Sequence, residues 1–440
     1  MILLKRILKI IKYFILIILG ILIITLLILF SPGLWRHWVT YPRLDKEVAE
    51  LNKLRHEPPK ITNLNTYSGV MHVHSYLSHD SEGKLTDIIP AAKADGIDFI
   101  FLTDHPRYDL DTFPHGYNGY YNGVLIEPGS EKQGFDTWPL DSTVINWKIN
   151  KDTVAKNVVS SGGIIFYAHT EEPHNWSNPW YQGMEIYNFH TDTKDESLAP
   201  HIANFVVNGN KYRRWALRQM FDEQTNILAL WDSLNTQRKI VGFSAVDTHE
   251  NQNFRARYLD DERIQWIGPN AKPIDTVRVT LWNSWLFHEP DESGWVFKWM
   301  IDTYKAGFNY ITNYVLADTL SVPSLANNIK AGHIYTAFKS LGDAKGFMYY
   351  AQDSSSNEIG MMGDSILVNH AKSLHAVSPL PGQFRLIHDG KQVDISAKDS
   401  YEYTWSGPIE KGAYRIEIHI QLNRKYVPWL YSNPIYIYER

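Results

Sequence analysis

The sequence predicts an α/β protein, and three observations carry that expectation. Apolar runs of strand length alternate with helical stretches from about residue 67 to about residue 338. After about residue 339 the signature becomes all-β, and residues 414–422 alternate strictly in steps of two, which marks a half-buried β-strand. Ahead of both lies an uncharged apolar stretch of bilayer-crossing length. The expected order is therefore one N-terminal transmembrane helix, a parallel strand–helix sheet or barrel, and a C-terminal all-β sandwich.

Residues 14–30 carry no charge and are apolar except at Gly20 and Thr25. Lys5, Arg6, Lys9 and Lys12 precede them, so the positive-inside rule leaves the N-terminus cytoplasmic and the rest of the chain extracytoplasmic. Leu29-Phe30-Ser31-Pro32 offers no small-x-small cleavage site, which favours an uncleaved anchor over residues 1–32. Trp35 and Trp38 fit the outer interface. Residues 33–66 form a juxtamembrane connector, with Leu44, Val48, Leu51 and Leu54 at helical spacing until Pro58-Pro59.

Seven apolar runs follow, at 69–71, 99–103, 124–126, 164–168, 184–187, 241–246 and 277–281. Several are continuous, as strands covered on both faces should be. Leu85, Ile88, Ile89 and Ala92 give one helical face, Asp152 can cap a helix ending at Gly162-Gly163, and residues 212–234 read as a long amphipathic stretch. A domain over 67–338 and a sandwich over 339–440 result. In the sandwich Tyr414, Ile416, Ile418, Ile420 and Leu422 alternate with polar residues, and Asp389-Gly390 reads as a hairpin turn.

Composition narrows the chemistry. The 440 residues hold no cysteine, which excludes disulfides, thiolate zinc sites and cysteine nucleophiles. A metal would have to be held by Asp, Glu and the 18 His. A net charge of -5 gives no basic footprint for nucleic acid. Neither a GxxxxGK[ST] loop nor a GxSxG elbow is present, which disfavours P-loop and serine-hydrolase chemistry.

His, Asp and Glu recur at strand ends. His72 and His74 flank Val73, and on an extended chain residues two apart face the same way. Asp80 follows. Thr103-Asp104-His105 ends the second run, Glu127 the third, His169 the fourth, and Asp247-Thr248-His249 the sixth, while Glu185 lies on the fifth. A single such residue would be ordinary loop polarity. Five strand ends in register predict a metal cluster, because β/α folds put their functional residues at the C-terminal ends of strands. Arg107, Arg255 and Arg257 are the candidate contacts for an anionic substrate. Glu185 and His190 are expected to support the cluster or to lie at the core edge.

These motifs, in this order, resemble the polymerase-and-histidinol-phosphatase (PHP) family over residues 67–338. His72-Val73-His74-Ser75-Tyr76-Leu77-Ser78-His79-Asp80 is similar to the first motif of its carbaryl-hydrolase-type (CehA/McbA-like) branch. Gly412-Ala413-Tyr414-Arg415-Ile416-Glu417 and Ser432-Asn433-Pro434-Ile435-Tyr436 look like that branch's tail. The resemblance implies a distorted (β/α)7 barrel that binds zinc, manganese or iron. It places one metal on His72, His74, Glu127 and Asp247, and another on Asp80, His105 and His249, with Glu127 bridging toward His169. Three-metal members carry a further His that residues 128–168 lack, so two divalent ions are expected.

The implied reaction is hydrolysis of an ester-type bond in a small molecule by metal-bound hydroxide. A phosphoester is the first expectation, and a carboxylic or carbamate ester the second. His249 or His169 would move a proton, and Asp104 would orient a ligand. No nucleic acid and no obligate protein partner are expected. The rival reading is a non-catalytic envelope or glycan-binding protein with a structural metal.

Overall fold

A computed structural model describes residues 2–107, 111, 113–193, 198–251, 253–268, 272–291 and 294–439. The chain divides into two compact units, one of residues 1–47 and 192–222, the other of 48–191 and 223–440. The expected domain 67–338 thus encloses, in sequence, a segment that clusters with the N-terminal helices.

In the first unit the helix Ile2–Trp35 leads into a π-helical turn, Arg36–Thr40. Its apolar side chains are exposed all round, Ile28 to 70%. A helix with no polar face has nothing to offer water, and this one is long and apolar enough to cross a membrane. The helix Leu198–Asn208 packs beside it. Asn208 donates to Gly33 O (3.0 Å), and Asn204 donates to Tyr41 Oη (3.1 Å). Asp45 accepts from Trp215 Nε1 and Arg214 Nη2, both at 2.5 Å.

The second unit is mixed α/β, built on a large sheet. Six strands run parallel in the order Val124–Glu127, Phe99–Phe101, Asn65–Val73, Val241–Thr248, Gly183–Asn188 and Ile164–Tyr167. Apart from the start of Asn65–Val73, these strands are buried along their length, which explains their unbroken apolar runs. Phe99, Phe101, Trp138, Ile164, Phe166 and Phe243 fill the core between them. The hairpin Ser130–Lys132 and Phe135–Trp138 runs antiparallel beside Ile164–Tyr167.

Three local expectations are corrected. The run at 277–281 gives no seventh strand of this sheet. Pro273–Arg278 belongs to a separate antiparallel sheet of four strands, and Thr312–Ala317 pairs antiparallel with Asn65–Val73 instead. The stretch 212–234 is two helices, Arg213–Arg218 and Thr225–Asn235. The helix Lys151–Ser160 is capped by Asn150, whose side chain accepts from Asp152 N–H.

After residue 348 the described chain is strands and turns. Ser373–His388 and Lys391–Ile395 close a hairpin at Asp389-Gly390, both left-handed (φ 47° and 79°), as a two-residue turn of that kind requires. Lys425–Ser432 pairs with Ile334–Ala337, so the C-terminal strands join the large sheet through backbone hydrogen bonds.

Candidate metal centre

The ligand-type residues enter the centre from backbone that breaks regularity. His72 has φ 58°, and the pairing of its strand with Val241–Thr248 shifts register between Met71 and Val73. His72 and His74 are therefore not on a regular extended chain, yet both rings still reach one place, with centroids 5.2 Å apart. His169 (φ 49°) and Asp247 (φ 48°) are also left-handed. Such conformations cost about 1–3 kcal/mol each in non-glycine residues and persist where the surroundings over-determine them. Here Tyr304 Oη–H donates to His74 O (2.6 Å), and Ser81 Oγ–H donates to His249 O (2.8 Å).

Glu131 stands at the middle. Its Oε2 lies 3.1 Å from His72 Nε2, 3.3 Å from His74 Nε2 and 3.4 Å from His105 Nε2, and its Oε1 lies 3.1 Å from His169 Nε2. Asp247 Oδ1 lies 3.3 Å from both His72 Nε2 and His74 Nε2. A second group joins Asp80 Oδ2 to His105 Nε2 (3.5 Å) and His249 Nε2 (3.4 Å). Ligand atoms about 2.1 Å from a tetrahedral ion stand about 3.4 Å from one another. Most of these gaps match that spacing and are long for direct hydrogen bonds.

The other ring nitrogens show why the Nε2 atoms point inward. His74 Nδ1 faces Ser78 Oγ (3.1 Å), His105 Nδ1 faces Glu131 O (3.1 Å), and His249 Nδ1 faces Asp247 O (2.9 Å). A ring that donates its Nδ1–H to oxygen keeps a lone pair on Nε2, the form that binds a cation. Glu185 does the same for His72, with Oε1 2.5 Å from Nδ1, and its Oε2 accepts His169 N–H at 2.7 Å. Asp136 Oδ2 is 3.3 Å from the same Nδ1, giving a third, inner group of His72, Asp136 and Glu185.

Among the described residues, His74 Nε2, Asp247 Oδ1, Asp80 Oδ1, both Asp136 oxygens and His169 Nδ1 are buried without a hydrogen-bond partner. His74 Nε2 and Asp247 Oδ1 face each other at 3.3 Å, and such a pair of orphaned polar atoms is costly unless something charged joins them. The donor set of imidazole and carboxylate suits zinc, manganese or iron. The residues present therefore fit a divalent cation.

Burial opposes charge throughout this region, and the carboxylates override it. The His72 imidazole sits well above its ordinary range because Asp136, Asp247, Glu185 and Glu131 surround it. Against burial, Glu131 and Glu171 push His169 up to about 11, and Asp80 and Asp247 push His249 up to about 9. The Glu131 and Asp247 carboxyls are held well below the usual carboxylate range, chiefly by His72. These imidazolium protons are what an incoming cation would displace.

The structure brings together His72, His74, Asp80, His105, His169, Asp247 and His249. It does not bring Glu127 among them. Glu131 holds the central position that the sequence reading gives to Glu127. Burial raises the Glu127 carboxyl to about 7. The physical reason is the Pro128-Gly129 turn, which ends the strand Val124–Glu127 and starts the hairpin that carries Glu131 and Asp136 inward. Asp104 lies in the loop beneath the centre and accepts from Ser75 N–H (2.6 Å) and Ser75 Oγ–H (2.9 Å), bracing the His74 loop. Its carboxyl is raised to about 6 by burial.

The arginines differ. Arg107 donates to the backbone oxygens of Leu77 (2.9 Å) and Tyr76 (3.0 Å), and Arg257 to Gln265 Oε1. Arg255 pairs with Glu82 and packs on Trp295, while its Nε and Nη2 have no hydrogen-bond partner among the described residues. Sequence reasoning missed Glu131, Asp136 and Ser78. The short alternation 130–138 after a Pro-Gly break was the available signal.

Fold and site together define a mixed α/β protein with a buried imidazole–carboxylate centre able to hold divalent cations. No family model and no curated protein matches the chain. Among solved structures it is similar to a two-domain protein from Bacteroides vulgatus that contains a predicted PHP-like metal-dependent phosphoesterase. The identity is 14%, over 86% of this chain and 98% of that one, with a TM-score of 0.33.

Proposed function

We propose that this chain is a metal-dependent hydrolase of the PHP type, of the carbaryl-hydrolase-type branch, acting on an ester-type bond of a small molecule. A phosphoester is the first choice, and a carboxylic or carbamate ester the second. The observation that supports it is Glu131, whose two oxygens face four imidazole Nε2 atoms. A carboxylate in that position can bridge two cations. One would rest on His72, His74, Glu131 and Asp247, the other on Asp80, His105 and His249, with His169 on the far oxygen of Glu131.

When bound, divalent ions supply Lewis acidity and acidify water at neutral pH. The chain's own residues do the rest. Whichever of His169 and His249 is not fully ligated would hold or pass a proton to a leaving group. Asp104 keeps the His74 loop in position through Ser75. Of the three arginines, Arg255 retains N–H groups for an anionic substrate, whereas Arg107 and Arg257 are committed to backbone and Gln265.

The reading includes an uncleaved anchor over 1–32, a connector over 33–66, a distorted (β/α)7-type barrel over 67–338 and a β-sandwich over 339–440. It places the N-terminus in the cytoplasm and the hydrolase outside it. The full chain in lipid nanodiscs is the test object. Metal content by mass spectrometry should approach two ions per chain. A phosphodiester, a phosphomonoester, an aryl ester and an aryl carbamate would be offered in turn, and turnover of at least one should vanish with chelator and return with metal. Full turnover without metal would sink the proposal. So would bound metal with no turnover of any substrate but tight glycan binding, which would establish the non-catalytic alternative.

A further inference from the structure

Leu281, Trp282 and Trp285 are exposed to 94%, 90% and 77%. Large apolar side chains do not usually stand so fully in water, and their grouping marks a contact surface. They ride on the segment Val279 to Phe287, the first part of the connection between two strands of the small four-stranded sheet.

The exposure is built, not frayed. Val279 and Phe287, at the two ends of the loop, pack against the small core of Ala256, Ile264 and Val296. Val279 N–H donates to Glu262 O (2.8 Å). A 3-10 turn, Ser284–Leu286, shapes the apex, and Trp285 Nε1–H donates to Trp282 O (2.8 Å). That bond satisfies the indole donor within the loop, so the tip can leave water without orphaning it.

No residue from Val279 to Phe287 is charged. Leu259, 49% exposed, sits in the adjoining turn at the same end of the sheet. The arginines at that end face acids: Arg263 pairs with Asp260 (2.5 Å) and Arg278 with Glu262 (3.9 Å), and Asp261 in the same turn adds a further negative charge. A nucleic acid or an acidic protein would call for an uncompensated basic patch, and none of these arginines supplies one.

We propose that this loop is a membrane-contacting tip, whose Leu281, Trp282 and Trp285 dip into the interfacial layer of a lipid bilayer. Tryptophan with leucine on an uncharged apex is the composition that favours that layer. The occupant follows from the chain itself. The same polypeptide carries the helix Ile2–Trp35, long and apolar enough to cross a membrane. Every copy so anchored meets a bilayer at high effective concentration. With both arginines at that end facing acids, the tip should take up zwitterionic lipid without needing anionic headgroups. The inference rests on the membrane-anchored reading above.

The cysteine-free sequence allows a clean test. Single cysteines would be placed by S284C in the tip, G20C in the helix and V144C at an exposed control site, each carrying an environment-sensitive fluorophore. The full chain would be reconstituted in phosphatidylcholine vesicles with and without bromine-bearing acyl chains. The expected result is blue-shifted, bromine-quenched emission at 284 and at 20, with water-like emission at 144. Adding W282S and W285S should return the 284 signal to the water-like value, with near-ultraviolet dichroism showing the fold intact.

Water-like emission at 284 with quenching at 20 would overturn the tip and leave the anchor standing. Absence of quenching at both would overturn the anchor and the tip with it. A blue shift at 284 that lipid bromines do not quench, and that grows with protein density, would mean contact with a second copy and would also overturn the proposal.

Discussion

Glu185 Oε1 lies 2.5 Å from His72 Nδ1, and the other oxygen of the same carboxylate takes the backbone N–H of His169 at 2.7 Å. One buried acid thus holds the His72 ring and the backbone of His169. Replacing it by glutamine keeps the shape and weakens both contacts. Glu185→Gln should cost about 10–100-fold in metal affinity, the usual effect of losing a partner behind a ligand. Chelator competition measures it, and an unchanged affinity would assign Glu185 to packing alone.

Glu131 and Glu127 make a paired comparison. Glu131→Gln should remove the shared carboxylate and lower bound metal by at least one ion per chain. Glu127→Gln should leave metal content as it is, because among the described residues that carboxyl joins no imidazole group. The two variants differ by four positions in sequence, and elemental analysis separates them. Equal losses would restore Glu127 to the centre.

Metal should also hold the fold together. An ion that binds only the folded chain adds about 2.7 kcal/mol when present at one hundred times its dissociation constant. Dialysis against chelator should therefore lower the melting temperature, and zinc or manganese should restore it. Uptake should weaken as pH falls, since the bound form requires His72, His169 and His249 without their imidazolium protons. Calorimetric titrations at two pH values check the direction.

A second charged cluster lies among the C-terminal strands. Arg415 donates to Asp232 (2.6 and 2.8 Å) and to Glu417 (2.6 Å), and His419 Nε2 lies 3.2 Å from Glu417. Burial pushes the Glu417 carboxyl up, but Arg415 and His419 hold it at about 2 against an ordinary 4.5. A depressed carboxylate stabilises the fold above its unfolded value. Its contribution, roughly 3 kcal/mol, is fully present above about pH 5 and lost as pH falls toward 2. Urea unfolding should show Glu417→Gln less stable than the parent at pH 7, with the gap closing in acid. A gap that stays constant with pH would contradict the ion-pair account.

Much of the centre is legible from strand ends. His72, His74, His105, His169 and Asp247-Thr248-His249 follow apolar runs whose length and burial are plain in the sequence. Glu131 is not legible in this way, because a turn at Pro128-Gly129 carries the chain past the strand end before the carboxylate arrives. Glu127 looked right by position, and position alone says nothing about which way a side chain is taken. The run at 277–281 misled for a related reason. Apolar residues report burial against something, and here that something is the small core under the loop 279–287. Pairing partners such as Thr312–Ala317, far along the chain and antiparallel, leave no local trace.

The excursion at 192–222 bears on how this protein can be handled. Asn204, Asn208 and Trp215 find Tyr41, Gly33 and Asp45 only because the start of the chain is present. Cutting the polypeptide after Glu47 would strip partners from a segment whose contacts lie 163 to 175 residues downstream of them. The excised remainder would carry an unsatisfied flank of its own making, prone to stick to itself. Whole chain in detergent or nanodisc, and not a trimmed soluble piece, is therefore the form in which its chemistry should be measured.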